Sequence, residues 1–100
     1  MPEVKWLGTA YEDLLDIKAF YEELEVGLGS RLAQEILEVE HVLQNTPRVG
    51  QVVKNLAPEH RQLRRGHHLI IYRLDGDLVK IAAVIDSRRN FLAAWRSKKR

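Results

Sequence analysis

The stretch RQLRRGHHLIIYRLDGD at positions 61–77 gathers the residues of this chain that are best suited to chemistry. Arg61, Arg64 and Arg65 can hold phosphate or carboxylate groups, and His67 and His68 can carry protons. Three interpretations are open for this stretch. It could be the active site of an RNA-cutting enzyme, the solvated end of an ordinary hairpin, or a surface that binds an acidic partner.

Metal and nucleophile chemistry are both disfavoured by the composition. The chain has no cysteine, so it has no thiolate ligand and no thiol nucleophile, which also suits a reducing cytoplasm. His67 and His68 are neighbours on a predicted strand and point to opposite faces, so they do not readily chelate one ion together. Asp86-Ser87 lacks the glycine-rich surroundings of a hydrolase nucleophile. The sequence therefore predicts no metal and no cofactor.

Charge is distributed unevenly along the chain. Residues 1–46 contain 3 lysines and arginines against 10 acids, whereas residues 47–100 contain 13 against 4. The basic half could attract nucleic acid or an acidic protein segment, or could simply be a solvated face that balances the acidic half. No apolar run approaches the roughly 20 residues that span a bilayer, and the start MPEVKWLGTA has no signal-peptide core. We expect one cytoplasmic domain over residues 1–100, with no membrane contact.

The first half of the chain is predicted to form a short strand and a helix hairpin. The strand covers residues 4–7, and Thr9 with Glu12 has the spacing of a capping box that starts a helix running to about residue 25. Its acids, Asp13 among them, are expected to point mostly away from the core. Gly27 and Gly29 are expected to interrupt the helical pattern. Ser30 is a candidate N-cap, and a second helix continues to about residue 45.

The second half is predicted to be strand-rich. Residues 51–56 and 61–65 are weak strand candidates, whereas 67–74 and 78–86 are strong ones joined by Asp75-Gly76, a dipeptide typical of two-residue hairpin turns. The predicted fold class is α+β: an N-terminal strand, an antiparallel helix hairpin, and a mostly antiparallel three-stranded sheet in two layers.

The predicted hairpin register separates two faces of the sheet. A turn at Asp75-Gly76 pairs Leu74 with Asp77, and the face carrying Leu74 is assigned to the helices. The other face is mixed: it has too many apolar residues for a surface that faces only solvent, and too many charged residues for a closed core. Its members are Leu69, Ile71, Arg73, Leu78, Lys80, Ala82, Val84 and Asp86. We expect either the chain's own tail, through Phe91 or Trp95, or another protein to cover this face.

Several motifs, taken in their order and spacing, resemble the RelE/ParE superfamily of toxins from toxin–antitoxin pairs. They are A-x-x-DL-x-DI-x-x-FY at 10–21, PRVG at 47–50, LRRGHHLIIYRLDGDLVKIAAVI at 63–85, and RR at 88–89. The DL-x-DI-x-x-FY run of the first motif and the closing IIYR…V…RR, from 70 to 89, look more like the ParE branch. The resemblance implies a two-layer fold, a toxin that an antitoxin neutralises, and, for ParE-like members, inhibition of DNA gyrase without catalysis.

RelE-like members of the superfamily cut messenger RNA on the ribosome with a metal-free cationic set. Carried onto this sequence, the family's catalytic positions fall at His60, Gln62, Leu69, Arg89 and Trp95. Only Arg89 keeps the expected residue type, and His60 could substitute as a base. The resemblance therefore favours a ParE-like gyrase inhibitor over a ribonuclease.

Three functional hypotheses follow. The first is a gyrase-inhibiting toxin held in check by a cognate antitoxin, with direct nucleic-acid contact left open. The second is a ribosome-dependent endoribonuclease that uses His60, Arg64 and Arg89. The third is a partner-binding module that has lost toxicity. The residues expected to bind partners are Arg61, Arg64, Arg65, Leu69, Ile71, Arg73, Lys80, Arg88, Arg89 and Trp95.

Overall fold

The computed structural model describes residues 2–98 and 100. It confirms the α+β class and the predicted order of an N-terminal strand, helices and an open, mostly antiparallel sheet. The elements are β1 (Glu3–Trp6), α1 (Gly8–Leu24), α2 (Leu28–Leu37), α3 (Val39–Asn45), β2 (Gln51–Val52), β3 (Arg61–Arg65), β4 (His68–Asp75), β5 (Leu78–Asp86) and α4 (Phe91–Arg96).

The sheet has five strands in the order β1-β5-β4-β3-β2. β1 runs parallel to β5, and every other neighbouring pair is antiparallel. The α1–α2 hairpin and α3 cover one face, which we call the helix face. Its buried core includes Leu14, Ile36, Leu43, Ile70 and Tyr72. No helix in the described part of the chain is long and apolar enough to cross a membrane.

The predicted capping box at the start of α1 is wrong. The helix begins at Gly8 and has no side-chain cap. Thr9 instead donates its hydroxyl hydrogen to the carbonyl of Ala82 at 3.0 Å, so it ties α1 to β5. The first amides of α1 are therefore left without a capping side chain.

The predicted cap at Ser30 is also wrong, because α2 begins at Leu28. Glu22 of α1 does the capping: its carboxylate accepts from the amides of Gly27 at 2.6 Å and Ser30 at 3.3 Å. These amide hydrogen bonds, the one from Gly27 foremost, lower the pKa of Glu22. Gly27 itself has a φ of 87°, which favours glycine at this tight link.

Gly29 is where α1 and α2 approach each other most closely. A Cβ atom added there would lie 2.1 Å from the carbonyl oxygen of Lys18. We expect Gly29→Ala to lower the free energy of unfolding by about 1–3 kcal/mol, because the helices must move apart. Gly8→Ala is the control, since a Cβ there meets nothing within 4 Å. Urea denaturation that shows equal stability for the two variants would contradict this close contact.

The second predicted helix is divided in two. A turn at Glu38 separates α2 from α3. Ile36, Val39 and Leu43 are nevertheless all buried, with 2%, 0% and 0% of their surfaces exposed. The apolar stripe therefore continues across the break, which is why the periodicity predicted one helix.

The β4–β5 hairpin has a different register from the predicted one. Asp75 pairs with Leu78, so the turn residues are Gly76 and Asp77. Gly76 has a φ of 60°, which is the pattern of a type II′ turn, with glycine first. The predicted pair of Leu74 and Asp77 does not form, and Leu74 pairs with Val79. Because the register shifts by two residues, each side chain near the turn stays on its predicted face of the sheet.

A β-bulge at Ala82 corrects the predicted faces farther along β5. Tyr72 pairs with Ile81 and Ile71 pairs with Ala83, so Ala82 has no partner on β4. Beyond this point the alternation of β5 is reversed. Val84 therefore belongs to the core on the helix face, and not to the mixed face as predicted.

The tail covers part of the second face, the sheet surface opposite the helices. Ile71, Ala83 and Ile85 are buried beneath Ala94, with Phe91 and Trp95 packed around them. Of the two covers expected for this face, the chain's own tail or another protein, the tail is the one present over this part. Ile71 is 0% exposed, so it offers no surface to a partner in this structure.

Candidate functional site

The uncovered part of the second face lies toward the β4–β5 turn and is basic. Arg73 of β4 and Lys80 of β5 project there as a cross-strand pair. Arg64 of β3 projects from the same face nearer its other end, because it pairs with Leu69, four residues before Arg73. Lys5 of β1 lies beside Lys80 on the same face. We call Lys5, Arg64, Arg73 and Lys80, together with partly exposed Leu69, the basic face.

The cations of the basic face differ in whether an acidic side chain already pairs with them. Lys80 forms an ion pair with Asp75 at 2.8 Å, and its hydrogen bond to that carboxylate lowers the pKa of Asp75. Arg64 is exposed. Within the described residues, Arg73 makes no side-chain hydrogen bond and no ion pair within 4 Å. Arg64 and Arg73 are thus available to an anionic partner.

Arg61 and Arg65 lie on the helix face of β3 and do not belong to the basic face. Arg61 donates to the carbonyls of Arg48 at 3.1 Å and Gly50 at 2.8 Å, and its side chain is only 18% exposed. Arg65 donates to the carbonyl of Arg64 at 3.0 Å. Arg61 therefore serves mainly to hold the segment before β2 against β3.

Arg88 and Arg89 follow β5, at the end of the sheet away from the β4–β5 turn. Arg88 binds the carboxylate of Asp86 through Nε at 3.0 Å and Nη2 at 2.7 Å, and it also donates to Tyr21. These hydrogen bonds hold the pKa of Asp86 well below its usual range. Arg89 is exposed and lines a groove between α1 and the tail. Of the two, Arg89 has the more accessible charge.

A cleft of about 600 Å³ opens where the first turn of α1 meets the second face. We call it the α1 cleft. The sheet and its loops contribute His60, Arg73 and Ala82, and the tail contributes Trp95 and Arg100. The α1 side of the wall consists of Leu7, Gly8, Thr9 and Glu12.

His60 is the most deeply buried titratable side chain of the α1 cleft, with 2% of its surface exposed. Its Nδ1 lies 2.6 Å from the carbonyl oxygen of Pro58, so Nδ1 carries a proton and donates it. Its ring meets Trp95 edge to face at 5.1 Å. Nε2 has no partner among the described residues. Burial lowers the pKa of His60, and the charge of Arg73 adds to that effect.

Asp13 holds the tail in place. Its carboxylate accepts from the amide of Val84 at 3.0 Å and pairs with Lys98 at 2.7 Å and Arg100 at 3.0 Å. The side chain is only 9% exposed, so the expectation that Asp13 points away from the core is wrong. One signal in the sequence indicated otherwise: Asp13 lies three residues after Ala10 and four before Ile17, on the apolar stripe.

The residues proposed for ribonuclease chemistry are not brought together. His60 lines the α1 cleft, Arg64 lines a groove beside β2, and Arg89 lines the groove between α1 and the tail. His60 and Arg64 are four residues apart on extended chain, a separation of roughly 13 Å. Within the described residues, no group of three His, Asp or Glu side chains is placed to hold a metal ion.

Two buried histidines predict how stability depends on pH. Burial lowers the pKa values of His60 and His68, which are 2% and 4% exposed. The unfolded chain therefore binds more protons than the folded chain below the ordinary histidine pKa of about 6.5. We expect the free energy of unfolding to fall as the pH drops from about 7.5 to 5.5. His60→Gln should weaken this dependence and His67→Gln, at an exposed position, should not. Identical urea midpoints at both pH values would contradict the expectation.

Comparisons with known proteins give a family match and two similar solved structures. The family described as "ParE toxin of type II toxin-antitoxin system, parDE" matches residues 4–91. A chain from the chromosomal ParDE toxin–antitoxin system of P. aeruginosa is 24% identical, with a TM-score of 0.70, covering 86% of this chain and 96% of that one.

A chain from the crystal structure of the RelBE2 toxin–antitoxin complex of Mycobacterium tuberculosis is also similar. It is 25% identical, with a TM-score of 0.67, and the match covers 86% of this chain and 99% of that one. No curated protein matched the sequence. The two structures share the fold of this chain, and the family match extends from β1 to the first residue of α4.

Proposed function

Because this chain belongs to the ParE toxin family of type II toxin–antitoxin systems, we propose that it inhibits DNA gyrase when free and that a cognate antitoxin neutralises it. The observation that carries this proposal is the family match over residues 4–91. The solved structures of similar fold come from a ParDE system and a RelBE2 complex, which supports a partner antitoxin.

The basic face is the proposed contact surface for the antitoxin. It combines the accessible charges of Arg64 and Arg73 with partly exposed Leu69. An acidic, amphipathic segment complements such a surface in both charge and apolar character. Trp95, partly exposed at the edge of the tail, and Lys80 complete the proposed contact. Arg88 and Arg89, which follow β5, are the remaining candidates for a target contact.

The ribonuclease alternative has less support. Gln62 and Leu69 stand where the resemblance places cations, and His60, Arg64 and Arg89 line separate depressions. Stabilising the charge of a cleaved phosphodiester requires donors that converge on one group. A protein–protein inhibitor does not require such convergence, so the geometry favours the gyrase proposal.

Expression in a bacterial host without the antitoxin separates the three hypotheses. We expect growth arrest with DNA breaks that depend on gyrase and with induction of the DNA-damage response. Rapid arrest of translation with cleaved transcripts would overturn the gyrase proposal in favour of ribonuclease activity. Normal growth, with the protein shown to be present and folded, would indicate a binding module without toxicity. A small acidic open reading frame beside the gene would identify the antitoxin.

Charge reversal tests the proposed antitoxin surface. We expect Arg64→Glu to weaken antitoxin binding by roughly tenfold or more, because it replaces attraction by repulsion across the contact. Arg31→Glu makes the same change at an exposed site on α2, in the other layer, and should change the affinity by less than about twofold. Calorimetric titration of both variants measures the difference. Equal affinities would place the antitoxin elsewhere.

A further inference from the structure

The side of α1 opposite its buried residues forms a continuous exposed face. α1 buries Ala10, Asp13 and Leu14 on its inner side. On the outer side, exposed residues recur at steps of three, one, three, one and three, which is the periodicity of one helix stripe. We call this set the α1 outer face: Glu12, Leu15, Asp16, Ala19, Phe20 and Glu23.

The α1 outer face carries large apolar side chains that are open to solvent. Leu15 is 46% exposed and Phe20 is 61% exposed, and Tyr11 and Leu24 flank them with 54% and 64%. These are four of the eight large apolar side chains that are exposed among the described residues. Apolar side chains gathered on one surface in this way mark a contact with a partner.

The charges of the α1 outer face are all negative. Within the described residues, Asp16 pairs with Lys98 at 3.0 Å, whereas Glu12 and Glu23 form no ion pair within 4 Å. Lys18 is the single lysine or arginine of α1 and lies outside the stripe. The face therefore attracts a basic partner, and it repels nucleic acid, an anionic membrane and an acidic protein segment.

Ala19 leaves a hollow in the middle of the α1 outer face. On a helix, residues i, i+3, i+4 and i+7 surround a hole that one side chain of a partner helix can enter. Two such holes follow each other along this face. The first is formed by Glu12, Leu15, Asp16 and Ala19, and the second by Asp16, Ala19, Phe20 and Glu23. Ala19 belongs to both holes, and its short side chain lets a partner helix approach closely.

Each hole combines carboxylates with an apolar wall. In the second hole, the acids Asp16 and Glu23 lie on either side of the Phe20 ring. An arginine or lysine suits this arrangement, because its stem packs on the ring while its charged head meets the carboxylates. Because the two holes are four residues apart, a matching helix presents basic side chains four positions apart, with apolar side chains beside them.

A second copy of this chain does not suit the α1 outer face. Two such faces in contact would bring together the three carboxylates of each copy, and like charges across an interface oppose binding. The acidic antitoxin segment proposed for the basic face is disfavoured here for the same reason.

We propose that the α1 outer face binds a basic amphipathic helix of a partner protein. Basic side chains of that helix enter the two holes that share Ala19, and its apolar side chains pack on Leu15 and Phe20. The two layers of the fold thus bind partners of opposite charge. This inference goes beyond gyrase inhibition and does not depend on it.

The test titrates the 100-residue chain with three synthetic peptides of about 20 residues, a length at which isolated helices can form. The first peptide has leucines along one helical stripe and arginines four positions apart beside them. The second has the same composition in an order that gives no stripe. The third has glutamates in place of the arginines. NMR locates the contact and measures the affinity.

We expect the first peptide to shift the amide resonances of Leu15, Ala19 and Glu23, and to bind at least about tenfold more tightly than the second. The third peptide should cause no such shifts. Equal affinities for the first and second peptides would overturn the proposal in favour of unspecific charge attraction. Failure of the first peptide to bind, or shifts confined to other surfaces, would also overturn it.

Variants make the test specific to the α1 outer face. Ala19→Lys should weaken binding of the first peptide at least about tenfold, because it fills both holes and adds a like charge. Glu23→Lys should weaken binding as well. Glu35→Lys is the matched control, since it makes the same change at an exposed site on α2, and should change the affinity by less than about twofold. Urea midpoints check that the variants are folded. Equal affinities for Glu23→Lys and Glu35→Lys would contradict the proposal.

Discussion

Replacing Asp13 with alanine is expected to lower the free energy of unfolding by about 3–5 kcal/mol, the loss typical when one partner of a buried ion pair is removed. The carboxylate is 9% exposed and the Arg100 side chain 4% exposed, so the variant leaves a buried guanidinium without its counter-charge. It also leaves the amide of Val84 without its acceptor. Guanidinium denaturation monitored by circular dichroism measures the loss.

Asp16→Ala is the matched control for that prediction. Asp16 lies on the same helix and binds the same Lys98 at 3.0 Å, but its side chain is 75% exposed. Exposed ion pairs contribute about 0–1 kcal/mol, so this variant should remain close to the original stability. Equal losses for the two variants would show that Asp13 does not anchor the tail.

Ile71→Ala should be the second most damaging of these changes, with a loss of about 2–5 kcal/mol. Ile71 is 0% exposed between the sheet and the tail, where it packs with Ala83, Ile85 and Ala94. Truncation removes apolar contacts and leaves a cavity that the rigid sheet cannot fill. The midpoint of chemical denaturation, compared with that of the unchanged chain, gives the size of the effect.

Leu92→Ala provides the control within the tail itself. Leu92 belongs to α4 but is 48% exposed, and exposed substitutions usually change stability by no more than about 0.5 kcal/mol. If Ile71→Ala cost no more than Leu92→Ala, the tail would not seal this part of the second face. Ile71 would then return to the candidates for partner contact.

Local patterns in the sequence predicted the elements well because those elements depend on local physics. Periodicity of 3.6 residues located α1 and most of α2 and α3, and two β-rich runs around a glycine located β4 and β5. The resemblance predicted their arrangement, and the structure confirms it. The bounds moved by one or two residues at most for these strands, as element ends commonly do.

The register and the second face depended on features that no local pattern reveals. The turn uses Gly76-Asp77 and not Asp75-Gly76, since only Gly76 in this turn has positive φ. The bulge at Ala82 is held by contacts from distant residues: its carbonyl accepts from Thr9 at 3.0 Å and Arg100 at 2.9 Å. Alternation alone predicts an unbroken strand there, so Val84 was assigned to the wrong face.

The candidate site was predicted in part. The sequence placed Arg73 and Lys80 on one face, and the observed register, shifted by two residues, keeps them there. It named Arg64 only as a residue expected to bind partners, because no local pattern predicted the register of β3 that places Arg64 on the same face. It did not identify Asp13, whose partners Val84 and Arg100 lie 71 and 87 positions away. The same limitation applies to Arg61. The sequence suggested a free cation, but its guanidinium donates hydrogen bonds to two backbone carbonyls.

A supercoiling assay with purified DNA gyrase tests the proposed function most directly. The free chain is predicted to reduce supercoiling and to cause cleaved, gyrase-bound DNA to accumulate, and an excess of the cognate antitoxin is predicted to restore activity. The chain unfolded by heat serves as the inactive control. Unchanged gyrase activity in the presence of excess folded chain, together with cleavage of messenger RNA on ribosomes by the same preparation, would contradict the proposal.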